Sequence, residues 1–364
     1  MKFKVDRESI LEGLQKVQSV VSSRTTLPVL SNVLLKAEAN RIWFTTTNLE
    51  VSVRTGIDAD VEEEGSTTLP VRRLFSIVRE LDSAKLEFET DDKDITSIRS
   101  ASSFFKVIGI SDEEFPPLLE LDAGQGYVLE QGVFKEMLRD TSYAASGDET
   151  RYILNGVFLS FKGEKLTIVA TDGRRLALIE KEMEFPESSE VDLVVPSKTV
   201  DELVKNLGDQ GSVNIKANAN QISFEFDDLL VVSKLIEGTY PNYKQVIPSQ
   251  CEERVPIERE ALFTSVRRVA ILTSDKSNSV KFNFGKNKLE ITAITPEVGE
   301  AHETIPVKYD GKQISIAFNP EFVLDPLRNI TSDEVYFELT DDLSPGVLKC
   351  DIPFLYVLMP MRVN

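Results

Sequence analysis

Four landmarks recur three times along this chain, in one order, at a spacing near a third of its 364 residues. Self-similarity at such a period constrains the fold more than any other feature of the sequence. The first landmark is an amphipathic helix pattern. Ile10, Leu14, Val17 and Val21 share their spacing with Phe134, Leu138, Thr141 and Ala145, and with Leu262, Val266, Val269 and Thr273. Steps of four, three and four put each set on one helical face. The second is a β-branched strand ending in a polar turn: residues 42–48 read IWFTTTN, 166–172 read LTIVATD and 289–295 read LEITAIT. The third is another helix, opened by Pro70, Pro196 and Asn319, residue types suited to a first turn or an N-cap. Apolar residues follow it at matching steps: Leu74, Ile77, Val78, Leu81; Val200, Leu203, Val204, Leu207; Val323, Pro326, Leu327, Ile330. Pro326 is the departure and is expected to distort or shorten its helix. The fourth is a closing pair, Phe115-Pro116, Tyr240-Pro241 and Met359-Pro360.

Polar, proline-bearing stretches around Asp112 to Pro117 and Pro248 to Glu253 serve as linkers. The repeats therefore divide the chain at 1–123, 124–250 and 251–364. Between the helices lie alternating runs joined by Asn, Asp and Gly turns, such as residues 214–217 and 221–226. Each unit reads as two helices plus an antiparallel sheet, an α+β domain.

Several functional classes are disfavoured. The N-terminus lacks the long apolar run of a signal peptide or membrane span. Cys251 and Cys350 are far apart with no CxxC, which fits a reducing cytoplasm rather than a disulfide framework. Enzymatic motifs are missing: no P-loop, GxSxG, HExxH or EF-hand loop occurs. The single histidine, His302, sits in an acidic strand and reads as solvent-facing rather than as a base. The pairs Asp91-Asp92, Asp227-Asp228 and Asp341-Asp342 would suit a catalytic cation, but each falls where a hairpin must turn. No catalytic residue, metal site or cofactor is expected.

The net charge of −19 argues against non-specific nucleic-acid binding, unless charge is segregated. It is segregated. The six helical segments, read as 7–22, 72–81, 131–145, 197–207, 259–273 and 320–330, sum to +3, leaving −22 for strands and loops. Arg72-Arg73 and Arg267-Arg268, with Arg79 and Arg24 nearby, concentrate the cations. Helices facing a common centre would meet phosphates with long side chains and no base readout. A solvated helix face is the alternative for any single cation.

The sequence resembles the bacterial sliding clamp family, the β subunit of the replicative DNA polymerase III holoenzyme, over its whole length. The stretches carrying the resemblance are residues 24–30 (RTTLPVL), 151–156 (RYILNG), 170–177 (ATDGRRLA), 240–243 (YPNY) and 359–362 (MPMR). The resemblance implies three clamp domains forming half of a six-domain ring. It implies a head-to-tail homodimer that encircles double-stranded DNA without sequence preference. It implies a non-catalytic tether for the replicative polymerase, opened by a clamp loader and shared with other replication and repair proteins that carry clamp-binding peptides. Leu154, Thr171, Gly173, Arg174, Arg175, Leu176, Pro241, Val246, Phe322, Leu343, Met359, Pro360, Met361 and Arg362 resemble the pocket for those peptides. Arg24, Arg72, Arg73, Arg79, Tyr152 and Lys198 resemble DNA-facing positions, and Phe105, Ile271 and Leu272 the subunit interface. Arg174 stands where histidine is frequent, Gln245 where arginine is, and Asn364 extends the usual end by one residue; these bear on fine peptide preference.

Three alternatives stay open at this level: a clamp-like scaffold that does not encircle DNA, an enzyme with an unrecognised acidic site, and a cell-surface binding module. The helix cations oppose the first, the missing motifs the second and the absent signal peptide the third. Within the pocket, the methionines would adapt to varied partners, Pro241 and Pro360 would stiffen the walls, and Arg175 would orient a peptide through its planar fork. The competing reading makes residues 358–363 a final edge strand of their own domain.

Overall fold

The computed structural model describes every residue except 22–26, 119–120, 122–123, 186–188, 275–277, 297 and 363–364. The first repeat comprises β1 (Lys2–Asp6), α1 (Arg7–Val17), β2 (Asn32–Glu38), β3 (Arg41–Thr47), β4 (Val51–Asp58), β5 (Asp60–Glu63), β6 (Gly65–Pro70), α2 (Val71–Glu80), β7 (Lys85–Thr90), β8 (Ile95–Ser100) and β9 (Ser103–Ile108). The second comprises β10 (Gln125–Glu130), α3 (Gln131–Ser142), β11 (Gly156–Phe161), β12 (Lys165–Thr171), β13 (Arg175–Glu182), β14 (Val191–Pro196), α4 (Ser197–Asn206), β15 (Ser212–Ala217), β16 (Gln221–Phe226) and β17 (Leu229–Lys234). The third comprises β18 (Glu253–Glu258), α5 (Arg259–Ala270), β19 (Val280–Gly285), β20 (Lys288–Thr295), β21 (Gly299–Pro306), β22 (Ile314–Phe318), α6 (Pro320–Asn329), β23 (Glu334–Leu339), β24 (Gly346–Lys349) and β25 (Phe354–Leu358). Apart from the short β5, all three follow one order: strand, helix, four strands, helix, three strands.

Two compact units cut across these repeats. One holds residues 1–135 and 198–235, the other 136–197 and 236–364. The cause is strand pairing. In the first unit an antiparallel sheet runs β10-β15-β16-β17-β4-β3-β2-β6, so β17 of the second repeat continues the sheet of the first. In the second unit the order β14-β11-β12-β13-β25-β24-β23-β18 joins β13 to β25 of the third repeat. The remaining sheets, β5-β1-β7-β8-β9 and β21-β20-β19-β22, end on β9 and β21. Their strand edges have no partner among the described residues.

Within each unit the helices cover the sheets through the landmark positions. Ile10, Leu14, Val17, Leu74 and Val78 are fully buried in the first, beside Phe3 stacked on Phe88 at 4.8 Å. In the second, Leu262, Val266, Val269, Val323 and Leu327 are fully buried, and Phe282, Phe284, Phe318 and Phe337 cluster at 5.6–6.2 Å. Enclosing so many large apolar side chains is the main favourable term for each unit.

The first helix of each repeat stops three to five residues before the sequence pattern does. The pattern continues because residues past the helix end still face the core, as buried Val20 and Val21 do in a tightened turn. Shortening by Pro326 does not occur: α6 has ten residues, as do α2 and α4. The carbonyl deprived of its usual donor is that of Phe322, and the Tyr356 hydroxyl donates to it at 2.8 Å. A neighbouring strand thus repairs the defect locally.

All three Asp pairs occupy hairpin turns. Asp91 Oδ1 accepts from the N–H groups of Lys93 and Ile95, both at 2.9 Å, and Asp341 Oδ1 from Leu343 and Ser344 at 2.9 and 2.6 Å. These bonds hold both carboxyls below the usual range. Asp227-Asp228 turns between β16 and β17. Among the described residues no group of three or more His, Cys, Asp or Glu is placed to hold a metal ion.

Asp140 on α3 is only 3 % exposed, and burial pushes its carboxyl up to about 6 against partial relief from Arg139 at 3.4 Å. The unfolded chain, with a value near 3.9, releases this proton first as pH rises, so folding loses stability between about pH 4 and 6. Asp140→Asn is therefore expected to raise the melting temperature at pH 7.5, by up to about 3 kcal/mol of stability. Thermal unfolding at pH 4 should show that gain gone; an equal gain at both pH values would refute the ionisation argument.

Candidate functional site

The residues singled out for partner recognition all lie in the second unit. Their centre is the turn between β12 and β13. Asp172 Oδ1 accepts from the N–H groups of Arg174 and Arg175 at 2.8 and 3.1 Å, and Thr171 Oγ1 accepts from Gly173 N–H at 3.1 Å. Gly173 has φ of +84°, a left-handed conformation that favours glycine. The Arg151 guanidinium, donating to Asp172 O at 2.7 Å, stands 3.1 Å from where a Cβ would project. The turn is built for shape.

Arg174 presents its carbonyl to the chain end: Met359 N–H donates to Arg174 O at 2.9 Å, and Met361 N–H to Ala317 O at 2.8 Å. Residues 359–362 lie beyond β25 and form no strand, so the reading of a terminal edge strand is not what the fold adopts. β25 itself lies between β13 and β24, inside the sheet. Leu154 and Leu176 share an apolar cluster with Phe158, Val357 and Tyr240, whose ring stacks on Phe158 at 5.0 Å. Pro241 follows Tyr240 at the surface. Val246 is exposed and Leu343, on the β23–β24 turn, is 72 % exposed; neither belongs to that cluster.

Arg175 differs most from expectation. Its side chain is only 10 % exposed. Nε donates to Asp172 Oδ2 at 3.2 Å, one terminal nitrogen to Asp325 Oδ2, and the other to Tyr143 O at 2.6 Å. Its plane lies over the Phe322 ring at 4.4 Å. The fork expected to hold a peptide is thus spent inside the protein, where it ties β13 to the turn after α3 and to α6 and supports Phe322. Sequence reasoning missed Asp325, Tyr143 and Tyr356. One signal for Asp325 existed: it stands six residues past Asn319, as Glu202 stands six past Pro196, and both are acids inside amphipathic helices. In the first unit Glu202 Oε2 accepts from Ser19 Oγ at 2.7 Å, a second acid held against the preceding repeat.

The cationic residues divide into two kinds. Arg7 donates to Val78 O at 3.1 Å and Arg79 O at 2.6 Å, and Arg259 to Leu327 O at 2.8 Å. Each clamps the C-terminal carbonyls of the neighbouring helix, a structural use the charge count did not separate. Arg72, Arg73, Arg79 and Lys198 are exposed in the first unit; Arg73 and Lys198 form no ion pair with any described residue. Tyr152, in the second unit, is 60 % exposed. Arg24 lies outside the described residues.

The residues expected at a subunit contact are also at the surface. Phe105 on the β9 edge is 37 % exposed, with Phe104 and Ile108 exposed beside it. Ile271 is 76 % exposed past the end of α5, and Leu272 is half-buried. No described helix is long and apolar enough to cross a membrane.

Comparison with known proteins matches three consecutive family descriptions. They are the DNA polymerase III beta subunit N-terminal domain over residues 1–120, its central domain over 128–242 and its C-terminal domain over 244–362. A beta sliding clamp of Chlamydia pneumoniae is 36 % identical, with both chains covered completely. Among solved structures, a DnaN sliding clamp from Pseudomonas aeruginosa bound to griselimycin superposes with a TM-score of 0.94 at 32 % identity. A DNA polymerase sliding clamp from Bacillus subtilis gives 0.94 at 28 %. Each covers both chains completely.

Proposed function

The chain belongs to the DNA polymerase III beta subunit family and is a DNA sliding clamp; from this we propose that two copies close head to tail into one ring that acts by topology, without catalysis or cofactor. The observation that carries the reading is the repeated junction. Strand β4 of the first repeat pairs with β17 of the second, and β13 of the second with β25 of the third. Both are the same join, the fourth strand of one repeat against the last strand of the next. One edge of each kind remains: β21, the corresponding strand of the third repeat, and β9, that of the first. A second copy satisfies both, and cyclic closure prevents filament growth.

The helix ends agree. Ser19, Tyr143 and Ile271 each lie nine residues past their repeat's first landmark, Ile10, Phe134 or Leu262. Ser19 meets Glu202 of the second repeat, and the Tyr143 ring lies 5.9 Å from that of Tyr356 in the third. Ile271 occupies the same place at the third junction and is exposed.

Within this ring Arg24, Arg72, Arg73, Arg79, Tyr152 and Lys198 face DNA, and the repeats at 1–123, 124–250 and 251–364 are its domains. The surface around Leu154, Leu176, Phe322, Met359 and Met361 receives short apolar peptides from the polymerase, the loader and other cytoplasmic replication and repair proteins. With Arg7 and Arg259 committed to structure, few cations remain for phosphate, so affinity for open DNA is low and salt-sensitive. Loaded rings should survive high salt on nicked circular DNA and leave once the circle is cut. Equal retention on circular and linear DNA would replace encirclement with ordinary backbone binding.

A further inference from the structure

Pro326 and Tyr356 both depart from the repeat pattern, and they meet at one atom. At the place of Pro326 the first two repeats have Ile77 and Leu203, whose amides close a helical turn onto the carbonyls of Arg73 and Thr199. Pro326 donates nothing, and its ring crowds the carbonyl of Phe322. The last strands differ at the matching place. Their ladders run Phe105-Ile98-Phe88, Val231-Phe224-Ile215 and Tyr356-Leu348-Phe337. Only the third ends in a hydroxyl. That hydroxyl, on a fully buried ring, donates to Phe322 O at 2.8 Å. The helix lacks a donor and the strand supplies one, both in the same repeat.

The exchange alters what Phe322 is fastened to. An amide at 326 would hold its carbonyl within α6, whereas the Tyr356 hydroxyl holds it to β25. That strand ends at Leu358 and runs on into the tail, where Met359 N–H donates to Arg174 O and Met361 N–H to Ala317 O. The Phe322 ring is fixed separately, 4.4 Å from the guanidinium of Arg175, which Asp172 and Asp325 hold in turn. Phe322 remains half-buried, so part of it reaches the surface.

We infer that Pro326 and Tyr356 are positioning residues for the partner surface: together they fasten the Phe322 backbone to the strand that carries the tail, so that Phe322, Met359 and Met361 hold their relative places before a peptide arrives. This rests on the proposed peptide surface and adds what fixes one of its walls. Both residues are buried and act only through Phe322. A wall fixed in advance binds more tightly, because less freedom is lost on association.

The test follows the fluorescence anisotropy of a synthetic peptide with two large apolar side chains, added to the full chain. Tyr356→Phe removes only the hydroxyl and should weaken binding roughly three- to tenfold, the worth of one hydrogen bond. Pro326→Ala restores an amide that helical geometry directs at Phe322 O, so the chain carrying both changes should return to within about twofold of the parent. A Tyr356→Phe chain that melts lower yet binds peptide like the parent makes the bond purely structural and overturns the inference. A double variant that folds but stays weakened overturns it as well. Should Tyr356→Phe alone not fold, the double variant decides: it must fold and bind like the parent, and failure in either respect overturns the inference. Phe322→Ala separates this from the reading beneath it. Undiminished affinity there takes Phe322 out of the peptide surface altogether, whereas weakened binding there with no effect of Tyr356→Phe keeps the surface and removes only the positioning.

Discussion

Replacing Ile271 and Leu272 together with alanine should turn the dimer into a monomer at micromolar concentration. Ile271 is 76 % exposed in the isolated chain, at the position where Ser19 and Tyr143 meet the following repeat. Burying an aliphatic side chain of this size contributes about 1.5–3 kcal/mol. Leu272 is already half-buried in the isolated chain, so losing the two weakens each contact by about 2–4 kcal/mol, or roughly 10- to 10³-fold. Neither side chain belongs to the third repeat's fully buried core, so the melting temperature should fall far less than the association constant. Sedimentation across a concentration series separates the two quantities. A variant that stays dimeric would remove this end of α5 from the contact and shift the burden to Phe105 and the strand edges.

The repeats were legible in the sequence because their signals are local. A helix face repeats every three or four residues, and Ile10, Phe134 and Leu262 announce it without knowledge of any distant partner. The sharing of sheets between repeats was not legible. Nothing in the composition of β17 says that its neighbour is β4, since pairing partners far apart in sequence are chosen by the assembled shape. The surface charge reading failed in part for a related reason. Arg7 and Arg259 look like Arg72 and Arg73 in a count, yet the first two bind backbone carbonyls within their own unit. Arg175 is the clearest case. Its motif was expected to mark a recognition site, but the fork is occupied because Asp172, Asp325 and Tyr143 converge on it from three elements. Pro326 shows the reverse: a local rule correctly identified a lost hydrogen bond, and only the fold shows that Tyr356 replaces it.

Deleting residues 359–364 should abolish binding of partner peptides while leaving the dimer intact. Among the described tail residues, Met359 and Met361 each contribute one backbone hydrogen bond, and β25 ends before them at Leu358. Two such bonds are worth about 1–3 kcal/mol together, so the third repeat should remain folded with a modest drop in melting temperature. The loss at the surface is larger. Met361 is 38 % exposed, and on the proposed reading removing the tail takes away a wall against which an apolar anchor would be buried. A few anchors dominate small interfaces, so the loss of one wall should cost at least 100-fold in affinity. Fluorescence anisotropy with a synthetic peptide carrying two large apolar side chains reads this directly, with sedimentation of the same sample reporting the dimer. Met361→Ala provides a milder version, expected to fall between the parent and the deletion. Peptide affinity within threefold of the parent in the deleted chain would place the recognition surface elsewhere, and the exposed side chains Val246 and Leu343 would be the next to test.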